Sequence, residues 1–230
     1  KTFPGLKWTF LDTFLLKGSL FIFTIYLARL IGPVEFGLYG ILTVFITIGN
    51  ALVEGGLSIS LIRTLNTDNK DYSTVFFTNL IFSFVIYLIL FFSAHYIALY
   101  FNQPALKNLI KVYCLSFILS AFSSIQSVIL IKNLKFKKLT ALNLPGTIIG
   151  LIVSLVLVNY GFGIWSVIAM YLISQLINII LLWKFSQWTP TLLFSKEKFQ
   201  LHFHYGYKLM IATVIDTAFK NIYNLIIAKF

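Results

Sequence analysis

Residues 73–100 read STVFFTNLIFSFVIYLILFFSAHYIALY, a run without a single Asp, Glu, Lys or Arg. A helix rising 1.5 Å per residue needs about 20 mainly apolar residues to cross the hydrocarbon of a bilayer, so this run is long enough to span it. Working outward, the same reading predicts helices over 8–31, 36–62, 107–131, 140–160, 163–185 and 205–229. The expected fold is therefore all-α, a polytopic transmembrane helix bundle with about seven helices present. Helices are expected because only a helix or a closed barrel satisfies its backbone polar groups without water.

Composition agrees. Hydrophobic residues make up 59% of the 230 and charged residues only 11%, far from the balance of a soluble globular domain. The net charge of +11 does not point to nucleic acid, because the bases sit in gaps between apolar runs and form no continuous patch. With the N-terminus placed in the cytoplasm, the inner gaps hold eleven bases: Lys1, Lys7, Arg63, Lys70, Lys132, Lys135, Lys137, Lys138, Lys184, Lys196 and Lys198. The outer gaps hold three, Arg29, Lys107 and Lys111. That asymmetry is the positive-inside pattern. The first apolar run is too long for a cleavable signal and is expected to act as its own insertion signal.

Gly32-Pro33, Asn102-Gln103-Pro104 and Gly161 with Gly163 mark outer turns, while the inner connections carry lysines. No gap could hold a soluble catalytic domain. The most polar gap, Ser186 to His204, has an amphipathic look suited to the inner membrane surface. It divides the chain into a first six-helix bundle over 1–185, a cytoplasmic linker over 186–204 and, over 205–230, the first helix of a second bundle. Residues 25–29, IYLAR, resemble 225–229, LIIAK, and such internal repeats are a transporter architecture. A chain without an initiator Met that stops as its seventh helix ends is expected to belong to a longer protein.

Ionisable groups inside spans cost about 2.5–3.5 kcal/mol each on insertion scales and face bundle interiors or watery cavities. Five stand out: Asp12, Lys17 and Glu54 in the first two helices, and Asp216 and Lys220 in the seventh. Lys17 and Glu54 fall at similar depths and could pair. Asp216 and Lys220 are spaced i,i+4, acid before base, and could pair on one helix face. The functional alternative is that Lys17 and Lys220 line a central cleft and attract an anion such as a diphosphate. Asp12, Glu54 and Asp216 would then balance charge or carry a coupling proton or sodium ion, Glu54 and Asp216 as buried carboxylates.

The other features read as structural. Gly146 and Gly150 beside Pro145 suit close helix packing, and Cys114 suits packing between helices. Trp8, Trp165, Trp183 and Trp188 fall near span ends as interfacial anchors. His95, His202 and His204 lack the company of metal ligands, so no metal site is expected. No phosphate-binding loop or other cofactor motif appears, so no cofactor is expected and any active transport would draw on a gradient.

Residues 28–39, ARLIGPVEFGLY, resemble the ARLLGPEEFGLY signature of bacterial polysaccharide flippases. Glu54-Gly55-Gly56-Leu57 with Leu61-Ile62-Arg63, the basic stretch 134–139 (LKFKKL) and the 161–166 turn (GFGIWS) are similar to further segments of that family in order and spacing. These Wzx-like proteins handle O-antigen, capsular or teichuronic-type polysaccharides within the multidrug/oligosaccharidyl-lipid/polysaccharide exporter superfamily. The resemblance implies two pseudo-symmetric six-helix bundles whose first, second, seventh and eighth helices face one cleft. It implies a non-enzymatic transporter in the bacterial inner membrane that turns undecaprenyl-diphosphate-linked oligosaccharide from the cytoplasmic to the periplasmic leaflet by alternating access. Membrane lipids and the polysaccharide polymerase machinery would be its partners. On this reading Lys17 and Lys220 occupy corresponding helices of the two bundles. The nearest alternative is an ion-coupled drug or metabolite antiporter of the same superfamily, which predicts a smaller, more acidic cleft.

The charge asymmetry makes a test of orientation. Cysteines at Asn102 and Gly161 should be labelled by an impermeant thiol reagent from outside intact cells, and one at Asn133 should not; labelling at Asn133 would reverse the topology.

Overall fold

A computed structural model describes the backbone of residues 2–54, 56–186 and 188–229, with side chains except those of 2–17, 19–23, 28, 54 and 221–229. The described residues form eight helices. They are α1 (Thr2–Glu54), α2 (Leu57–Arg63), α3 (Asn69–Tyr100), α4 (Leu106–Tyr113), α5 (Leu115–Lys132), α6 (Phe136–Asn159), α7 (Trp165–Phe185) and α8 (Lys196–Lys229). Five segments among the described residues are long and apolar enough to cross a membrane: Arg29–Val53, Asn69–Tyr100, Leu106–Lys132, Phe136–Asn159 and Trp165–Phe185. The chain is an all-α, polytopic membrane bundle.

Each expected span falls on a helix, five of them on segments apolar enough to cross a membrane, and the differences lie at the joints. The first two spans are not separated by a loop. They run together as α1, broken only where Gly32 adopts φ 73°, ψ 168°, a conformation open to glycine and closed to residues with a Cβ. The second expected span ends early: α1 stops at Glu54, and α2, capped by Gly56, is a separate seven-residue helix. The fourth is jogged at Cys114 into α4 and α5. The seventh begins at Lys196 rather than 205, so the end of the polar gap is already helical.

Helices α3, α6 and α7 turn apolar side chains outward, as helices immersed in lipid do. Their outward faces carry exposed Ile81, Phe84, Phe92, Ile152 and Ile180. Lipid is as apolar as leucine, so close packing and not water exclusion holds the helices together. The main core joins Leu38, Leu42 and Ile46 of α1 to Ala94 and Ala98 of α3, Leu109 and Ile110 of α4, Phe117 and Ala121 of α5 and Ile168 of α7. α6 meets α7 along Gly146 and Gly150: a Cβ on Gly146 would stand 2.6 Å from the Ser174 carbonyl oxygen, and one on Gly150 would stand 2.7 Å from that of Met170. The small residues are there so that backbone can touch backbone, as the sequence suggests. Trp183 is a correction to the anchor reading. It packs against Phe76 and Phe122 and donates its indole N–H to the Phe122 carbonyl at 2.9 Å, tying α7 to α5.

Two segments of the sequence signature meet at the turn before α7. The Glu35 Oε2 atom accepts the backbone N–H of Ile164 at 2.9 Å, and an acid at a helix N-terminus satisfies an orphan donor while complementing the helix dipole. Gly163, at φ 50°, leaves the room that this carboxylate fills.

Three helix ends close in the same way. After α3, α5 and α6 the chain turns through Asn102, Leu134 and Gly161 with φ of 52°, 54° and 82°. The paired bonds are Asn102 N–H to Leu99 O and Gln103 N–H to Ala98 O, with equivalents at Leu134/Lys135 and Gly161/Phe162. This is the Schellman closure, which prefers glycine at its left-handed position. Leu134 is the poor fit: a leucine there costs about 1–2 kcal/mol, and its side chain is 68% exposed, so packing returns little. Leu134→Gly should therefore stabilise the protein by about 1 kcal/mol, read as a higher denaturation midpoint in detergent; an unchanged or lower midpoint would show that Leu134 is held by contacts worth as much as the strain.

Candidate functional site

A cleft of about 600 Å³ opens between α1, α2, α5 and α8. Its lining is unusual for helices of this hydropathy. Thr47 and Asn50 come from α1, Ser58 from α2, Ser123, Ser124 and Ser127 from α5, and Thr213, Asp216, Thr217 and Lys220 from α8, with Ile59, Ile62 and Ile131 between them. Ser123, Ser124 and Ser127 recur at helical spacing, so one hydroxyl-bearing stripe of α5 faces the cleft. Asn50 Oδ1 and Ser58 Oγ are buried at the cleft wall without a hydrogen-bond partner.

Asp216 and Lys220 form the pair that their spacing predicts, with Lys220 Nζ donating to Asp216 Oδ2 at 2.6 Å. The pair is not buried. Side-chain exposure is 59% for Asp216 and 71% for Lys220, so the expectation of Asp216 as a buried carboxylate is corrected, and both heads stand at the open cleft. An exposed pair is held loosely, which lets the ammonium exchange its carboxylate for another anion. The side chains of Asp12, Lys17 and Glu54 lie outside the described residues. Among the described residues no cluster of His, Cys, Asp and Glu could hold a metal ion.

A second polar group, which sequence reading missed, lies beyond α2 from the cleft. Asp71 and His202 are fully buried. His202 Nε2 lies 3.0 Å from Asp71 Oδ1 and its Nδ1 lies 2.9 Å from Ser60 Oγ. A carboxylate only accepts, so with a neutral ring Nε2 carries the proton and Nδ1 accepts from the Ser60 hydroxyl. Lys198 Nζ donates to Asp71 Oδ2 at 3.0 Å, and that bond holds the Lys198 ammonium's pKa above its ordinary value. Asp71 and Asp68 also form a reciprocal capping box on α3, each carboxylate accepting the other's backbone N–H. The knot thus joins α2, α3 and α8. It contains Ser, His and Asp, but the hydroxyl is enclosed by helices and faces the imidazole's Nδ1, so no acyl substrate reaches it.

The preceding polar gap is also docked. Thr191 N–H donates to Ser73 Oγ at 3.0 Å, Ser195 N–H to Thr74 Oγ1 at 3.1 Å and the Trp188 indole to Asn69 Oδ1 at 2.6 Å. Lys132 closes the C-terminal end of α2, donating to the carbonyls of Leu61 and Thr64 and to Thr67 Oγ1. The signal for Asp71 is faint in the sequence: a DxxD spacing opening an apolar run, Asp68 to Asp71, which marks a helix start. Nothing local names His202 as its partner, 131 residues away.

The chain belongs to the polysaccharide biosynthesis protein family, whose model matches residues 26–230. It is similar to the succinoglycan biosynthesis transport protein ExoT of Rhizobium meliloti (strain 1021), 24% identical over 172 residues, covering 75% of this chain and 35% of that protein. It is also similar to the lipopolysaccharide biosynthesis protein WzxC of Escherichia coli (strain K12), 23% identical over 231 residues, covering 100% of this chain and 47% of that protein. A Klebsiella pneumoniae uncharacterized membrane protein in cps region is 22% identical over 186 residues, 79% of this chain and 38% of that protein. The chain therefore spans less than half the length of the curated relatives it matches. No solved structure matches it.

Removing one member of the buried knot leaves the others unpaired, which costs about 3–5 kcal/mol. Asp71→Ala should lower stability by about 3 kcal/mol in chemical denaturation, whereas Asp71→Ala with His202→Leu should recover part of that loss. Equal losses in the two variants would show that the capping box, and not the imidazole contact, carries the effect.

Proposed function

We propose that this chain forms part of a flippase for lipid-linked oligosaccharides in the bacterial inner membrane, with its N-terminus cytoplasmic. Its cargo is an undecaprenyl-diphosphate-linked repeat unit, turned from the cytoplasmic to the periplasmic leaflet by alternating access. The observation that carries this reading is the cleft of hydroxyls, amide and one acid–base pair set among apolar spans. Polar side chains are costly inside a membrane unless they face a cavity with work to do.

The chemistry suits the cargo in two parts. Serine, threonine and asparagine donate and accept hydrogen bonds as sugar hydroxyls do. Lys220 is a compact point charge for diphosphate oxygens, and Asp216 holds it when no anion is bound. Lys17 would approach the same cleft from the first helix. The relative named for succinoglycan transport supports a transporter over an enzyme. The acid-plus-base pair suits a diphosphate better than the smaller, more acidic cleft expected of a drug antiporter. Coupling to a proton or sodium gradient would fall to the carboxylates Asp12, Glu54 and Asp216, and the turned cargo would pass to the polymerase machinery, with surrounding lipids supporting the spans.

The test uses proteoliposomes of the full-length protein and a labelled undecaprenyl-diphosphate glycan whose leaflet is followed with and without an imposed proton or sodium gradient. Lys220→Gln should slow flipping about tenfold or more, the loss of a charge-assisted bond, while leaving folding intact because the pair is exposed. Flipping unchanged by Lys220→Gln would remove the anion role, and flipping that ignores every gradient would remove ion coupling.

A further inference from the structure

The knot of Ser60, Asp71, Lys198 and His202 lies outside the cleft, yet two features tie it to the cleft mechanically. The first is α2. Its Ser58, Ile59 and Ile62 face the cleft, while Ser60 meets His202 and Arg63 stacks over the Tyr205 ring at 4.4 Å. The second is α8, which runs without a proline or a break from Lys196 to Lys229. It carries His202 in the knot at one end and Asp216 and Lys220 at the cleft further along.

Between these two stations α8 crosses the gap separating α1 from α2, with glycine on both sides. A Cβ on Gly56 would stand 2.8 Å from Gly206 Cα, and one on Gly206 would stand 2.8 Å from the Gly56 carbonyl carbon. Backbone rests on backbone at this one point, and Phe203 and Met210 of α8 flank it beside Leu52, Val53, Leu57 and Phe82. Such a contact permits close approach, and the neighbouring chain already has a joint at this point. At 1.5 Å per residue, His202 lies about 6 Å from the crossing along the helix axis and Lys220 about 21 Å. A rigid rod pivoting there magnifies a displacement at the knot about threefold at Lys220.

We propose that α8 is a lever resting on the Gly56–Gly206 crossing, and that the Ser60–His202–Asp71–Lys198 knot is the catch that fixes its angle. The four are positioning residues for Lys220 and Asp216, and releasing the catch swings the cleft-lining arm. That this swing serves transport rests on the reading of the cleft as the cargo route.

Two measurements on the full-length protein in nanodiscs test the lever. Asp71→Asn keeps the shape of the side chain and removes the charge that Lys198 and His202 hold. Hydrogen exchange of 196–206 and of 211–220 is expected to accelerate together, by about tenfold. Acceleration of 196–206 alone would overturn the lever, since the root would then move without the arm, and no acceleration in either would overturn the catch. In a background free of other cysteines, Ser60→Cys with His202→Cys can be oxidised to a disulfide, with the reduced form of the same protein as its own folding control. Oxidation should slow exchange over 211–220 and stop glycan flipping, and reductant should restore both. If oxidation slows exchange while flipping continues, the lever stands and the cleft is not the cargo route. If oxidation alters neither, the lever is wrong.

Discussion

Hydrocarbon offers no hydrogen bonds, and this constraint orders everything else in the molecule. A helix meets it along its length but leaves up to four donors and four acceptors unsatisfied at its ends, so the structure is most specific where helices stop. Glu35 supplies an acceptor for the first turn of α7, Lys132 supplies donors for the last turn of α2, and three left-handed turns fold the ends of α3, α5 and α6 back on themselves. Even the polar gap before α8 is stitched to the first turns of α3 by side-chain acceptors. The lipid-facing positions of the spans could exchange one apolar residue for another freely. The ends of the spans could not.

The spans were legible because a hydropathy run is a local property that does not depend on what it packs against. The glycines of the α6–α7 contact were legible for the same reason, since small residues four apart on an apolar helix have few other uses. The joints were only half legible. Gly32-Pro33 announces a break, whereas Gly56 lies inside a run that reads as one helix, and whether such a glycine becomes a loop, a one-residue bend or a new helix depends on the partner. At Gly56 that partner is Gly206, 150 residues further along.

Charged groups show the same limit more sharply. The Asp216–Lys220 pair is local and was readable from spacing; its exposure was not, because exposure is set by the neighbouring helices. Asp71 reads as the start of a helix, which it is, and His202 reads only as a histidine without metal ligands for company. Their meeting in a buried network is a tertiary fact with no local signature. Hydroxyl-rich α5 fell between these cases: its serines are plain to see, but a serine inside an apolar helix can as easily bond its own backbone, as Ser123 and Ser124 do.

The bond from Glu35 to the backbone of Ile164 has an implication for exchange between relatives. Because Gly163 must be small and left-handed for the carboxylate to reach its donor, the segment around Glu35 and the turn before α7 behave as one inherited unit. A chimera joined between them and drawing the two from unrelated parents would place a carboxylate against a Cβ, or leave the first amide of a membrane helix with nothing to bind. Recombination points that keep residues 28–39 and 161–166 from the same parent avoid this conflict.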